Sequence, residues 1–219
     1  TIQLVAFICG ILAVMTTYFV SRLISKGHNS VLVLVLTGMV VTSLFSAFIS
    51  LAKYTADPNN KLPEITFWLL GGLASITAKN IKLILIPFII GIIPMFLYRY
   101  KLNALSFGDE EAQALGVDTK KMRFIYIFSA TLLTASSVAT GGMIGWVGLV
   151  IPHLARMLVG PNYKYMLPAS VMLGGAYLLL IDDLSRTLFM VEIPLSILTA
   201  IIGAPFFIYL LFNGRYSWV

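Results

Sequence analysis

The sequence VLVLVLTGMVVTSLFSAFISLA, residues 31–52, contains no charged side chain. A helix needs about 20 mostly apolar residues to cross the hydrocarbon layer, where lipid offers the backbone no hydrogen-bond partners. This stretch therefore predicts a transmembrane helix. Similar stretches recur along the chain, and the predicted spans are 2–21, 31–52, 81–98, 123–140, 144–158, 168–184 and 195–212. The predicted fold is an all-α, polytopic membrane helical bundle that forms a single domain over residues 1–219.

The composition excludes a soluble globular domain. Apolar residues make up 59% of the 219 residues and charged residues 11%, with a mean hydropathy of +0.94. Soluble domains carry about 25% charged residues. The single cysteine, Cys9, excludes an internal disulfide and a multi-cysteine metal site.

Two segments between the spans are assigned from their composition. Residues 53–66 are polar and rich in turn formers, which predicts an external loop. Residues 66–77 are apolar but too short to span the membrane, which predicts a re-entrant or interfacial helix.

The distribution of lysine and arginine predicts the orientation of the bundle. One set of span ends holds Arg22, Lys26, Arg99, Lys101, Lys120, Lys121, Arg123, Arg156, Lys164 and Arg215, and the other holds Lys53, Lys61, Lys79, Lys82 and Arg186. The larger set is predicted to face the cytoplasm of a prokaryote, together with the C-terminus. The basic balance thus indicates anionic membrane lipid and no nucleic acid. Seven spans place the N-terminus outside, within an apolar run, so we expect further spans upstream.

The longest cytoplasmic connection, 99–122, contains the sequence SFGDEEAQALG at 106–116. Ser106 can cap a short helix, the acidic residues favour its N-terminal dipole, and Gly116 can close it in a left-handed conformation. Its small side chains suit a partner's groove, although an ordinary solvated loop helix has the same pattern. The chain has no G-x-x-x-x-G-K-[ST] sequence, so any ATP would be hydrolysed by another subunit.

Residues 141–156 form a glycine-rich segment. We interpret Gly141, Gly142, Gly145 and Gly148 as sites of close helix packing, and Pro152 as a bend or interruption of the span. His153 and Arg156 then fall at the cytoplasmic end. His153 either satisfies neighbouring carbonyl groups or serves as a ligand or proton relay, and the first is the commoner arrangement.

Charged residues also cluster at the outer end of the span 168–184. Asp182 and Arg186 are four residues apart, which predicts a local ion pair. Alternatively, Arg186 docks an acidic external partner. No catalytic constellation and no metal or cofactor site is predicted, because the two histidines lie in a loop and at a span end.

Three blocks of the sequence resemble a known family. GDEEAQALGVD, GGMIGWVGLVIPHLARMLVGPNYKYMLP and EIPLSILTAIIGAPFFIYLL look like the FecCD-type permeases, which import iron-siderophores, haem and vitamin B12. The resemblance covers essentially the whole chain, which corresponds to spans four to ten of a ten-span fold. It implies that this chain is the non-enzymatic permease subunit of an ABC importer that works by alternating access.

The resemblance also implies partners and site residues. The partners are a second permease copy, two cytoplasmic ATP-binding subunits and an external substrate-binding protein. The segment 104–121 becomes the ATPase-coupling segment, with Gly108, Asp109, Glu110, Glu111, Ala112, Leu115 and Gly116 as its coupling residues. Arg186 and Glu192 become docking residues for the binding protein, although their spacing is one residue shorter than in some members.

The span 31–52 resembles the family helix that lines the translocation path. Its predicted path and gate residues are Val31, Leu32, Thr37, Thr42, Ser43 and Ser46. The hydroxyl side chains would serve helix packing equally well. Alternatives to the importer are an ion-coupled secondary transporter, an intramembrane enzyme and a membrane scaffold, and the imported substrate could also be an oxyanion. The secondary transporter would need a charge in the middle of a span, and every charge here lies near a span end or in a loop.

Overall fold

The computed structural model describes residues 2–24, 30–74, 76–188 and 191–213. Ten helices lie within these residues, and no strand does. They are α1 (Ile2–Ile24), α2 (Ser30–Thr55), α3 (Lys61–Leu70), α4 (Ala78–Leu97), α5 (Arg99–Leu105), α6 (Asp109–Ala114), α7 (Thr119–Gly141), α8 (Val147–Val159), α9 (Tyr163–Thr187) and α10 (Leu195–Asn213).

Each predicted span overlaps one apolar helix. Over the described residues, α1, α2, α7 and α9 are long and apolar enough to cross a membrane, and a fifth candidate is the bent pair α4–α5. The helices of 13 residues (α8) and Leu195–Tyr209 (in α10) are apolar but shorter. At 1.5 Å per residue, α8 is roughly 20 Å long, less than the hydrocarbon thickness of about 30 Å. That all seven helices span the membrane remains a prediction.

The first helix group, as we call it, consists of α1, α2, α4 and α7. Helix α7 packs extensively against α4 and α1, and α2 packs on α1. Glycines allow this close approach: a Cβ at Gly91 of α4 would lie 3.0 Å from the Ser129 carbonyl of α7, and one at Gly10 of α1 would lie 3.3 Å from Ala135. The two glycines therefore let α4 and α1 approach α7 closely.

The second helix group consists of α8, α9 and α10. Ile181, Leu195 and Leu198 form a buried cluster between α9 and α10. The Ser185 hydroxyl donates a hydrogen bond to the Ile193 carbonyl at 2.5 Å, which holds the chain before α10 against α9. Gly203 of α10 makes room for the ring of Trp146, since a Cβ there would lie 2.8 Å from the Trp146 Cβ.

Two glycine pairs connect the helix groups at the end of the bundle near α3, which we call the α3 end. The Gly72 amide donates to the Gly141 carbonyl at 2.9 Å, and the Leu195 amide donates to the Gly71 carbonyl at 3.1 Å. Gly71 (φ 70°) and Gly142 (φ 71°) adopt the left-handed region that favours glycine. The α3 end therefore joins α7 to α10 through backbone hydrogen bonds.

Two local expectations from the sequence are wrong. The short helix covers Lys61–Leu70 rather than 66–77, because Pro63 suits a first turn and the pair Gly71-Gly72 ends the helix. Helix α2 correspondingly continues to Thr55, into the predicted loop. Pro152 does not interrupt its helix, which runs through it from Val147 to Val159. The break lies earlier, at residues 142–146, where Trp146 has a φ of 66°.

Candidate functional site: the coupling segment and the α3 end

Helix α6 begins and ends at glycines. Its N-cap is Gly108 (φ 113°), not Ser106, whose hydroxyl instead donates to the Asn103 carbonyl at 2.7 Å. At the C-terminus the Gly116 amide donates to the Gln113 carbonyl and the Val117 amide to the Ala112 carbonyl, each at 2.9 Å. This pair of bonds around a left-handed Gly116 (φ 78°) is a Schellman motif. The predicted left-handed closure at Gly116 is confirmed, and the boundaries of this helix are fixed by its backbone.

The opposite faces of α6 differ in exposure. Ala112 is completely buried and defines the inner face. Glu110, Glu111 and the two apolar side chains Phe107 and Leu115, 70% and 66% exposed, extend outward. Phe107 was not among the residues selected from the sequence, although an aromatic residue in a polar loop was a usable signal. An exposed apolar pair on a short rigid helix is suited to a partner's groove.

An ion pair and a hydrogen bond hold α6 against α7. The Arg123 Nη2 atom lies 2.7 Å and 2.9 Å from the two carboxylate oxygens of Asp109. Both side chains are partly exposed. The Gln113 amide donates to the Thr119 hydroxyl at 3.1 Å. Asp109 therefore has a partner that the helix-dipole argument did not identify.

Helix α5 contacts the start of α9 through Asn103. Its Nδ2 donates to Asn162 Oδ1 at 3.0 Å, and its Oδ1 accepts from the Tyr163 amide at 2.9 Å. Asn162 also caps α9 by accepting from the Lys164 amide at 2.9 Å. This contact joins residues 60 positions apart in the chain. The end of the bundle where α5 and α6 meet α7 and α9 is hereafter the α6 end.

At the α3 end, Arg186 is paired within its own helix. Its Nη2 lies 2.9 Å from Asp182 Oδ2 and its Nε donates to the same oxygen at 3.0 Å, as the spacing predicted. Glu192 is exposed and adds a weaker attraction to the same guanidinium. Asp182 and Glu192 also line an open cavity of about 510 Å³ that includes Glu64 and the Gly71–Gly72 turn. Arg186 stays accessible, so both predicted roles are compatible with the geometry.

The predicted path residues separate into two groups. Thr37 is buried, and its hydroxyl donates to the Val33 carbonyl of the same helix. Leu32, Thr42, Ser43 and Ser46 are exposed. The side chain of Val31 and the 25–29 part of the predicted gate loop lie outside the described residues.

In the glycine-rich segment the close backbone approach occurs at Gly142, where an added Cβ would lie 2.8 Å from Gly71 Cα. A Cβ at Gly145 or Gly148 would meet nothing within 4 Å, so close packing is not their role among the described residues. The His153 Nδ1 atom lies 2.7 Å from the Leu149 carbonyl, which is the local arrangement expected of such a histidine. Arg156 is exposed. Over the described residues, no group of three or more His, Cys, Asp or Glu side chains could hold a metal ion.

These features define a polytopic helical membrane protein with a short helix, α6, at one end that is suited to binding a partner. Comparison with known proteins identifies its family: the FecCD transport family matches residues 1–213, and the chain belongs to it. The prediction of this family is confirmed.

Relatives in the family have different substrates in their names. A molybdate import system permease protein of Haemophilus influenzae is 45% identical over 82% of this chain and 53% of its own length. A probable iron chelatin transport system permease protein of Helicobacter pylori is 36% identical over 98% and 64%. The chain thus spans between half and two thirds of the length of these relatives.

A solved structure confirms the fold. It is described as an inward-facing conformation of a metal-chelate type ABC transporter, and it matches with a TM-score of 0.84 and 42% identity over 91% of this chain and 64% of that chain. The all-α permease fold is therefore confirmed.

Proposed function

We propose that this chain forms part of the permease subunit of an ATP-binding-cassette importer in the inner membrane of a prokaryote. Its substrate would be a metal chelate such as a ferric siderophore, haem or cobalamin, moved by alternating access. Two cytoplasmic ATP-binding subunits would hydrolyse the ATP, and this chain would have no catalytic residue and no cofactor. The α6 end and the C-terminus would face the cytoplasm.

The observation that carries this proposal is the coupling segment. A six-residue helix is closed by a backbone motif at its C-terminus and is flanked by the exposed apolar side chains of Phe107 and Leu115. A soluble loop helix would not need two large exposed apolar side chains. Family membership supports the same conclusion and does not favour the ion-coupled secondary transporter.

The other two partners would bind elsewhere, the substrate-binding protein at the α3 end and a second permease copy at α2. Arg186 and Glu192 would meet an external substrate-binding protein, with the Asp182 pair keeping the guanidinium oriented. Apart from its contact with α1, α2 is largely exposed from Leu32 to Thr55. A second permease copy would cover this face, and Leu32, Thr42, Ser43 and Ser46 would line the path between the copies.

The test replaces Leu115 by aspartate in the whole permease, expressed with its ATPase and binding protein. A charge in an apolar groove should reduce ATP-dependent uptake about tenfold or more, because burying an unpaired carboxylate costs several kcal/mol. Tyr165→Asp, at a 53% exposed position in the first turn of α9 and outside the coupling segment, is the matched control. Equal uptake by the two variants, with equal amounts of membrane protein, would refute the assignment of the coupling segment.

An oxyanion is the second candidate substrate, because the molybdate permease of Haemophilus influenzae shares 45% identity. Purified complex in vesicles, with its binding protein, would be offered molybdate and a ferric chelate in parallel. If only molybdate is taken up, the proposed substrate is an oxyanion and not a metal chelate. Uptake that depends on a proton gradient and not on ATP would favour the secondary transporter.

A further inference from the structure

The coupling segment is attached to both helix groups, through two different helices. Helix α6 is tied to α7 of the first helix group by the Arg123–Asp109 ion pair at 2.7 Å. Helix α5 is tied to α9 of the second helix group by the two hydrogen bonds of Asn103. Each contact joins residues that are far apart in sequence, so neither contact follows from the geometry of a single helix.

These attachments matter because, within the part of the chain that the structure describes, few other contacts connect the two helix groups. Among the described helices, extensive contact occurs within each helix group and not between a helix of one group and a helix of the other, and the main connections between the groups run through α5 and α3. At the α3 end the link is the Gly71–Gly72 turn between Gly141 and Leu195. At the α6 end it is α5, which contacts α4, α6 and α9.

We propose that Arg123 and Asn103 are positioning residues that fasten the coupling segment to α7 and α9, so that one displacement of this segment moves the two helix groups relative to each other. The inference rests on the proposed function, because the displacement is supplied by the partner ATPase. A helix that was held only by its chain connections would tilt without transmitting force, since a loop absorbs movement in its backbone torsions. Side-chain contacts to α7 from Asp109 and Gln113, and to α9 from Asn103, restrict that freedom.

The chemistry of each attachment suits a contact that must hold during movement. The Asp109 carboxylate accepts from Arg123 Nη2 through both of its oxygens, and such a charge-assisted contact is stronger than a neutral hydrogen bond. Asn103 acts as donor and acceptor at once, and its partner Asn162 is itself fixed as the cap of α9. A movement of Asn103 is therefore delivered to the first turn of a 25-residue helix.

The α3 end provides the readout, since relative movement of the two helix groups would strain the Gly71–Gly72 turn, whose backbone hydrogen bonds join Gly141 to Leu195. Hydrogen exchange at residues 71–74 and 191–195 would be compared between nucleotide-free and vanadate-trapped complexes, which requires no substrate. The variants are Arg123→Gln, Asn103→Ala and the charge swap Asp109→Arg with Arg123→Asp. The control is Lys61→Gln, which removes an exposed ion pair of 3.0 Å outside the segment.

We expect Arg123→Gln and Asn103→Ala to assemble with the ATPase and hydrolyse ATP, while the exchange response at the α3 end falls about fivefold or more, the lower range of coupling between sites. The charge swap should restore much of the response, and Lys61→Gln should keep it. An unchanged response in both single variants would overturn the proposal, as would a loss confined to resting-state exchange at 99–118. If a single variant does not assemble, Arg123→Lys and Asn103→Asp, which keep part of each contact, take its place. Failure of the unaltered chain to assemble with an ATPase would refute the proposed function instead.

Discussion

The substitution Gly142→Ala tests the tight junction at the α3 end. Gly142 has a φ of 71°, and a side chain in this region costs roughly 1–2 kcal/mol. An added Cβ would also clash with the Trp68 carbonyl and lie 2.8 Å from Gly71 Cα. Both neighbours are backbone, so relief requires the turn to move, which adds about 1–3 kcal/mol as in an overpacked core. The free energy of unfolding should therefore fall by about 2–5 kcal/mol in total.

Gly160→Ala is the matched control. Gly160 has a φ of 82°, and like Gly142 it follows a helix and donates its amide to the carbonyl four residues earlier at 2.9 Å. Nothing lies within 4 Å of its added Cβ, so only the backbone term of roughly 1–2 kcal/mol applies. The two variants would be unfolded in mixed micelles of mild detergent and dodecyl sulfate, with helicity as the signal. Equal losses of stability would refute the claim that Trp68 and Gly71 leave no room for a side chain at Gly142.

Two further predictions concern single hydrogen-bonded groups. Ser185→Ala leaves the Ile193 carbonyl without its donor, so hydrogen exchange at 191–195 should accelerate, with a loss of about 1–3 kcal/mol in local stability; unchanged exchange there would argue against this contact. The pKa of Asp57 lies below its ordinary value of 3.8 because the Asn59 amide, and then the Asn60 side chain, donate to its carboxylate. The stabilisation of this turn should persist at pH values above 3.8 and disappear as the pH falls through the lowered pKa. The protection factors of its amides, which correct exchange for the intrinsic effect of pH, should therefore fall with pH in the unaltered chain and not in Asp57→Asn; the same fall in this variant would contradict the assignment.

The sequence predicted the apolar helices and the short-range contacts because both depend on residues that are close together along the chain. Uncharged runs such as 31–52 predict helices from the cost of an unsatisfied backbone in lipid, and the structure has a helix over each run. The spacing of Asp182 and Arg186 similarly predicted their ion pair. The extent of α3 was misjudged because polarity was weighed above the helix-starting preference of Pro63 and the stop at Gly71.

The sequence by itself therefore determined the class of fold and the family, and it carries the prediction of the coupling segment, since each depends on neighbouring residues or on the order of blocks along the chain. Only the tertiary structure decided how that segment is held. Asp109 and Arg123 are 14 positions apart and Asn103 and Tyr163 are 60 apart, and no periodicity predicts such a pairing. The contacts exist because helices of roughly fixed length bring their ends together in space, and the way α7 and α9 pack against their neighbours selects which side chains meet there.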